Sequence, residues 1–320
     1  MSVQEVEGGR FVRQANRFTE RITADGSSGL PAEPGRYRLF VSYACPWAQR
    51  SLIVRRLLGL EDAISVAVVD PIRDERGWRL PERDPVTGAV FLSELYLGTD
   101  PSFEGRYTVP CIWDTETGRL VTNDFPNITT MLETEFTALH RPPAPAHHQS
   151  TDELRSADRS DAPDLYPEAL RPEIDELNDL VYRTVNNGVY KAGFATAQDA
   201  YEDAVDALFA TLDQLEERLS GRRYLFGDEI TEADVRLYPT LARFDAVYYS
   251  HFKCNLRHLT DYPNLWGYAR DLYSVPAFGE TTNFDHIKRH YYVTQRNINP
   301  SGVVPKGPVI DWTAPHNRDR

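Results

Sequence analysis

Cys45, Pro46, Trp47 and Ala48 stand where an apolar run, Tyr37 to Val41, gives way to amphipathic sequence. A cysteine at such a strand-to-helix junction has its sulfur at the helix N-terminus. There the first backbone N–H groups and the positive end of the dipole favour thiolate over thiol. That is the placement of a nucleophile, and a pKa below the free-thiol value of about 8.5 is expected for it. Pro46 suits the first helical turn, because its fixed φ is already helical and its missing N–H has no partner to lose there. Ala48 occupies the place of the second cysteine of a Cys-x-x-Cys pair, so a mixed disulfide at Cys45 must be resolved by a thiol from solution.

Cys111 and Cys254 read instead as small buried apolar residues. Three cysteines in 320 residues are too few for a disulfide framework, and the opening MSVQEVEGGRF has no apolar run of the secretory kind. A reduced, cytoplasmic protein is expected. The formal net charge of -13 argues against a nucleic-acid surface, which needs clustered basic residues. No segment has the length and apolarity of a membrane span, so no membrane partner is expected. Asp285, His286 and His290 put two histidines near each other without a persuasive third ligand, and no metal site is expected.

These residues must be held by elements that the patterning outlines. Residues 1–35 are polar and aperiodic, with glycines at positions 8, 9, 26, 29 and 35, and read as an irregular arm. Residues 36–140 read as an α/β domain: a strand at YRLFV, a helix from Pro46 to Leu58, a strand from Ile64 to Val69, and a long polar loop from Asp70 to Gly88 carrying Trp78. Two short strands follow, Val109 to Trp113 and Arg119 to Thr122, around a turn at Glu116 to Gly118. A helix capped by Asn123 or Asp124 then runs to Phe136. Arg50, four residues into the first helix, is expected to face solvent or to add positive field near Cys45.

HRPPAPAHHQS, His140 to Ser150, opens a Pro-rich linker, 141–163, where neither helix nor strand propagates. Beyond it, 164–285 reads as an all-helical domain and 286–320 as a C-terminal extension. Thr196 and Asp199 have capping-box spacing ahead of Val205, Leu208, Leu212, Leu215 and Leu219 on one face. Thr231 and Asp234 repeat the device ahead of Val235, Leu237, Leu241 and Phe244. Pro263 opens another helix through Trp266, Tyr268 and Leu272.

The ordered set of motifs resembles the glutathionyl-hydroquinone reductases, the Xi class of glutathione transferases. It comprises Tyr43 to Arg50, Thr108-Val109-Pro110 with Trp113-Asp114, Lys191 to Ala195, Thr231 to Leu237, His251 to Asn255, Asp261 to Tyr268, Ile287 to Tyr292, Asn299-Pro300 and Gly307-Pro308. The resemblance implies a thioredoxin-like N-terminal domain followed by an all-α C-terminal domain, and a homodimer paired through the helical domains. It implies that Cys45 attacks the sulfur of a glutathionyl-hydroquinone thioether, frees the hydroquinone, and is regenerated by a second thiol.

The same resemblance assigns thiol-binding residues. Val109 and Pro110 correspond to the cis-proline turn whose backbone meets the thiol's peptide, and Trp78 to a tryptophan packed on glutathione. Asn123 and Asp124 correspond to the place that grips the γ-glutamyl end. Phe125 stands where the family has serine, so a ring replaces a hydroxyl, and mycothiol, a cysteinyl sugar thiol, is an alternative to glutathione. Tyr190, Tyr291 and Tyr292 are implied to face the quinol conjugate, with Tyr248 and Tyr249 as weaker candidates, since a phenol can donate a proton as the carbon–sulfur bond breaks. Two other readings compete. A conjugating transferase would activate the cofactor's own thiolate instead of Cys45, and a non-enzymatic binding module would leave Cys45 unreactive.

Overall fold

The computed structural model describes residues 6–143 and 162–318. The core of the Pro-rich linker, together with the extreme ends of the arm and of the C-terminal extension, lies outside them. The chain divides into two compact units, one of Ala15–Asp164 and one of Ser2–Gln14 with Leu165–Arg320.

The first unit is built on a four-stranded sheet in the order β4-β3-β5-β6, where β3 is Tyr37–Val41, β4 Ile64–Val68, β5 Cys111–Asp114 and β6 Arg119–Thr122. β3 pairs parallel with β4 and antiparallel with β5, so α1 (Pro46–Leu57) is the crossover of a βαβ unit. Every residue of β3 is buried, which is why its sequence is an unbroken apolar and aromatic run around one arginine. That arginine, Arg38, is neutralised by Asp84 from the long loop. The neighbouring Arg36 makes a two-pronged pair with Asp114 at 2.9 Å on each arm.

Helices α2 (Leu92–Thr99) and α3 (Phe125–Thr134) complete this unit. α2 was not expected: its first turn holds only one acidic residue and no side-chain cap, so nothing in the local pattern announces it. The predicted strand Val109 to Trp113 is displaced to Cys111–Asp114, because Pro110 has no N–H to give to a ladder and pairing begins after it. Of the two places expected for Arg50, the structure removes the solvent-facing one. Arg50 is only 2% exposed, with its guanidinium 4.6 Å from the centre of the Trp47 ring.

Among the described residues the second unit contains, besides a two-residue hairpin of β1 (Val6–Glu7) and β2 (Arg10–Phe11), only helices. They are α4 (Arg171–Val181), α5 (Gly188–Gly193), α6 (Gln198–Arg218), α7 (Glu232–Arg243), α8 (Pro263–Ser274), α9 (Pro276–Gly279) and α10 (Phe284–Arg289). The Thr231 and Asp234 capping box forms. Asp234, fully buried, also accepts from the Leu225 N–H at 3.0 Å and the Tyr268 hydroxyl at 2.7 Å. The box expected at Thr196 and Asp199 does not form. The Thr196 N–H goes to the Gly9 carbonyl and Asp199 to Arg10, so a tertiary contact takes both partners and Ala197 becomes the N-cap.

Three π-helical turns interrupt or extend these helices, at Tyr182–Asn186, Phe244–Tyr248 and His290–Thr294. Turns of this kind often accompany functional sites. Here they carry Tyr248, Tyr291 and Tyr292.

Candidate active site

Cys45 is the N-cap of α1, in extended conformation, with Pro46 at the first helical position. Its own N–H is closed onto the Ser42 carbonyl, and its carbonyl accepts from Gln49 to begin the helix. The thiol donates to the Val109 carbonyl at 3.3 Å, the carbonyl of the cis peptide to Pro110. At 9% exposure the sulfur's residue is recessed yet not sealed, whereas Cys111 and Cys254 are fully buried. Burial pushes the thiols of Cys111 and Cys254 far up, which makes both poor nucleophiles.

A chain of hydrogen bonds fixes the loop that carries Val109. Thr108 is bound through its carbonyl and hydroxyl by the Tyr96 phenol, at 2.8 and 3.2 Å. The Thr108 hydroxyl also accepts from the Asn123 amide at 3.0 Å. Asn123 in turn accepts from the Phe18 N–H at 3.1 Å, and its backbone pairs with the Phe18 carbonyl. The sequence singles out Asn123 as a thiol contact; its side chain is in fact turned inward as a strut between the arm and the Val109 loop. Phe18 and the loop threonine carry no sequence signal of this role, because each contact spans the fold.

Asp124, the N-cap of α3, accepts from Asn16 at 3.0 Å and from the Asn127 amide at 2.5 Å. Phe125 packs against Trp47 with ring centres 4.5 Å apart. Such a pair contributes about 0.5–1.5 kcal/mol beyond its buried area. Trp78 is 4% exposed, its carbonyl accepting from Leu92 at 2.9 Å and its ring under Arg73 at 5.7 Å.

The second unit brings its tyrosines together. Tyr190 and Tyr291 share a hydrogen bond of 2.5 Å, and Tyr291 continues to Tyr248 at 3.0 Å. Tyr248 and Tyr291 are fully buried, and burial pushes both phenols well up, with the buried Arg243 acting in the opposite direction. Tyr190 is half-buried, with Arg13 at 5.0 Å over its ring. Its aromatic neighbours require Gly193: a Cβ there would sit 2.2 Å from the Phe252 ring. Tyr292 stands apart from this chain and bonds Ser250 at 2.6 Å, while Tyr249 stacks on His258. The triad therefore includes Tyr248, which the sequence ranks below Tyr292.

A cysteine at a helix N-cap beside a cis-proline carbonyl can exchange thiols, and a hydrogen-bonded row of phenols can pass a proton. Comparison with known proteins agrees with this equipment. The glutathione S-transferase N-terminal domain matches residues 44–135 and the C-terminal domain residues 198–271. Glutathionyl-hydroquinone reductase YqjG of Escherichia coli is 46% identical over 98% of this chain and 93% of its own length. The chain belongs to the glutathionyl-hydroquinone reductases, the Xi class of the glutathione transferases.

Other members of this enzyme family align as fully. Glutathionyl-hydroquinone reductase PcpF of Sphingobium chlorophenolicum is 45% identical, covering 94% of this chain and 91% of that protein. Among solved structures, a glutathione transferase from Gordonia bronchialis superposes with TM-score 0.86 at 51% identity, over 94% of this chain and 90% of that one. The glutathione-bound YqjG gives TM-score 0.85, over 95% and 96%. The thioredoxin-like and helical architecture of the reductases is thus that of this chain. Among the described residues no helix is long and apolar enough to cross a membrane.

Proposed function

We propose that this protein is a thiol-dependent reductase that cleaves glutathionyl-hydroquinone-type thioethers through Cys45. The Cys45 thiolate attacks the thioether sulfur; an S–S bond forms as the aryl C–S bond breaks, and the ring carbon takes up a proton. The two sulfurs are oxidised to a mixed disulfide and the carbon is reduced to C–H, which releases the hydroquinone. A second thiol then attacks the mixed disulfide, leaves as a symmetrical disulfide and restores Cys45. The observation that carries this reading is the Cys45 thiol at the α1 N-cap, 3.3 Å from the carbonyl before cis Pro110, with no cysteine at position 48.

In this reading Val109, Pro110, Trp78 and Asp124 bind the thiol, and Asn123 is a positioning residue that acts through Thr108. Tyr190 and Tyr291 supply the proton, Tyr292 borders the quinol, and Tyr248 with Arg243 supports the donor row from behind. Glutathione, named for the relatives, is the leading thiol; mycothiol is the second, favoured by Phe125. The reading also includes a cytoplasmic setting and a homodimer, the latter with an interface of at least about 1,000 Å². Light scattering at micromolar concentration is expected to give twice the chain mass, and a monomer mass would overturn that part.

The test of the reaction is to follow hydroquinone release from a glutathionyl-hydroquinone by chromatography while weighing the intact protein. Cys45→Ser is expected to lose at least about a thousandfold in rate, because a near-isosteric hydroxyl is a far weaker nucleophile. The wild-type protein should gain one thiol adduct at Cys45. Turnover by Cys45→Ser within tenfold of wild type would place the chemistry elsewhere.

A further inference from the structure

Within the second unit a cavity of about 380 Å³ opens between the arm hairpin, α5 and the first half of α6, and no residue given a part in the thiol chemistry lines it. Its floor is one face of α6, where Ala200, Ala204 and Ala207 follow one another at four- and three-residue spacing. Side chains of one carbon leave that face flat. Gly188 extends the room: a Cβ there would meet nothing closer than the Arg183 carbonyl at 3.9 Å, so packing alone does not require a glycine. The Phe11 ring forms a wall, held by stacking on Phe194 at 5.5 Å and on Tyr190 at 6.2 Å.

The charges around this cavity are unevenly matched. Arg10 is paired with Asp203 at 2.9 Å and with Asp199 at 3.4 Å, and Arg183 with Asp179 at 2.9 Å. Among the described residues that line the cavity, Lys191 alone is a cation with no carboxylate in ion-pair range, and its Nζ donates only to the Arg183 carbonyl at 3.1 Å. Further N–H donors of the ammonium are left for an occupant. Burial and then the neighbouring Arg183 charge hold this half-buried amine below the usual lysine range. Both effects disfavour the ammonium, and an anion set beside it offsets them. Asp203, the carboxylate that lines the cavity, is already engaged by Arg10.

A flat apolar floor, an aromatic wall and one unmatched ammonium together suit a small planar molecule with a single negative charge. A phosphate or a dicarboxylate would bring more charge than Lys191 neutralises and would leave the alanine floor uncovered. We propose that this cavity binds a small aromatic carboxylate, its ring on Ala200 and Ala204 against Phe11 and its carboxylate on Lys191 beside Arg183.

The test titrates the full-length protein by calorimetry with benzoate and with benzamide, its uncharged counterpart. Benzoate is expected to bind one per chain with a Kd on the order of 1 mM or tighter, and about tenfold or more tighter than benzamide. The position is read from the lysines, of which the sequence has four, Lys191, Lys253, Lys288 and Lys306. Saturating benzoate should slow acetylation of Lys191 by acetic anhydride, followed by peptide mapping, while the other three react as before. Lys191→Gln should weaken benzoate by about tenfold and remove its advantage over benzamide, whereas Lys191→Arg, which keeps the charge, should stay within about threefold of the wild type. Absence of benzoate binding, or equal affinity for benzamide, overturns the proposal. Binding that leaves Lys191 acetylation unprotected, or that survives Lys191→Gln, puts benzoate elsewhere in the protein and overturns it equally. The protection measurement uses the wild-type protein, so it decides the matter even where a variant fails to fold.

Discussion

Replacing Asn123 by alanine tests whether the Val109 loop is held by the strut described above. The side chain is 1% exposed and makes two hydrogen bonds, accepting from the Phe18 N–H at 3.1 Å and donating to the Thr108 hydroxyl at 3.0 Å. Each contributes about 1 kcal/mol net, and stranding the half-covered Phe18 N–H adds on the order of 1 kcal/mol. The sum, about 2–4 kcal/mol, corresponds to a fall of roughly 5–12 °C in Tm for a unit of this size. Calorimetry measures it directly. The same change leaves Thr108 held by Tyr96 alone and so loosens the carbonyl beside Cys45, and formation of the Cys45 mixed disulfide should slow by about tenfold. Asn123→Asp keeps an acceptor for Phe18 and lets the Thr108 hydroxyl donate instead, so it should recover most of that rate even where Tm is only partly restored. A loss below about 0.5 kcal/mol with unchanged exchange would refute the strut, since a side chain so buried cannot replace both partners with water.

Alkylation under native conditions should label Cys45 alone, because burial holds the Cys111 and Cys254 thiols up and out of reach; peptide mapping that finds either one labelled as fast as Cys45 would contradict this. Asp234→Ala strands the buried Leu225 and Thr231 N–H groups and the Tyr268 hydroxyl, and should cost about 2–4 kcal/mol by urea unfolding. Asp84 and Asp114 lie below the ordinary carboxylate range: burial alone would raise them, but hydrogen bonds from Thr87 and Arg38, and from Arg36 and Thr117, outweigh it. Their folded pKa values being depressed, the stability they contribute is fully present above about pH 4 and is lost as pH falls through the folded values. The urea midpoint should therefore drop on acidification below that point. It should drop less steeply in Asp114→Asn, and a slope identical to wild type would remove Asp114 from the account.

The sequence by itself placed Cys45 at a strand-to-helix junction and determined the architecture that presents it. A β-rich apolar run, a cysteine and a proline at the next helix start are local signals, set by backbone sterics and helix termini over a few residues. The same holds for the Thr231 and Asp234 box and for the apolar face of α6, and the ordered motifs named the family. Where a local signal competed with a distant partner, the distant partner won. Thr196 and Asp199 have capping spacing, but Gly9 and Arg10 take their hydrogen bonds. Arg50, for which charge suggests either solvent or a place near Cys45, is buried over Trp47 because a guanidinium can be held against an aromatic face.

Only the tertiary structure decided the inner wiring of the site. Asn123 has the right type for a ligand contact, and its partners Phe18 and Thr108 are 105 and 15 residues away, beyond any local pattern. Tyr248 joins Tyr291 across 43 residues because π-helical turns rotate both side chains off the 3.6-residue register from which a helical face is read. A sequence states which donors exist, and folding decides which of them are already spent.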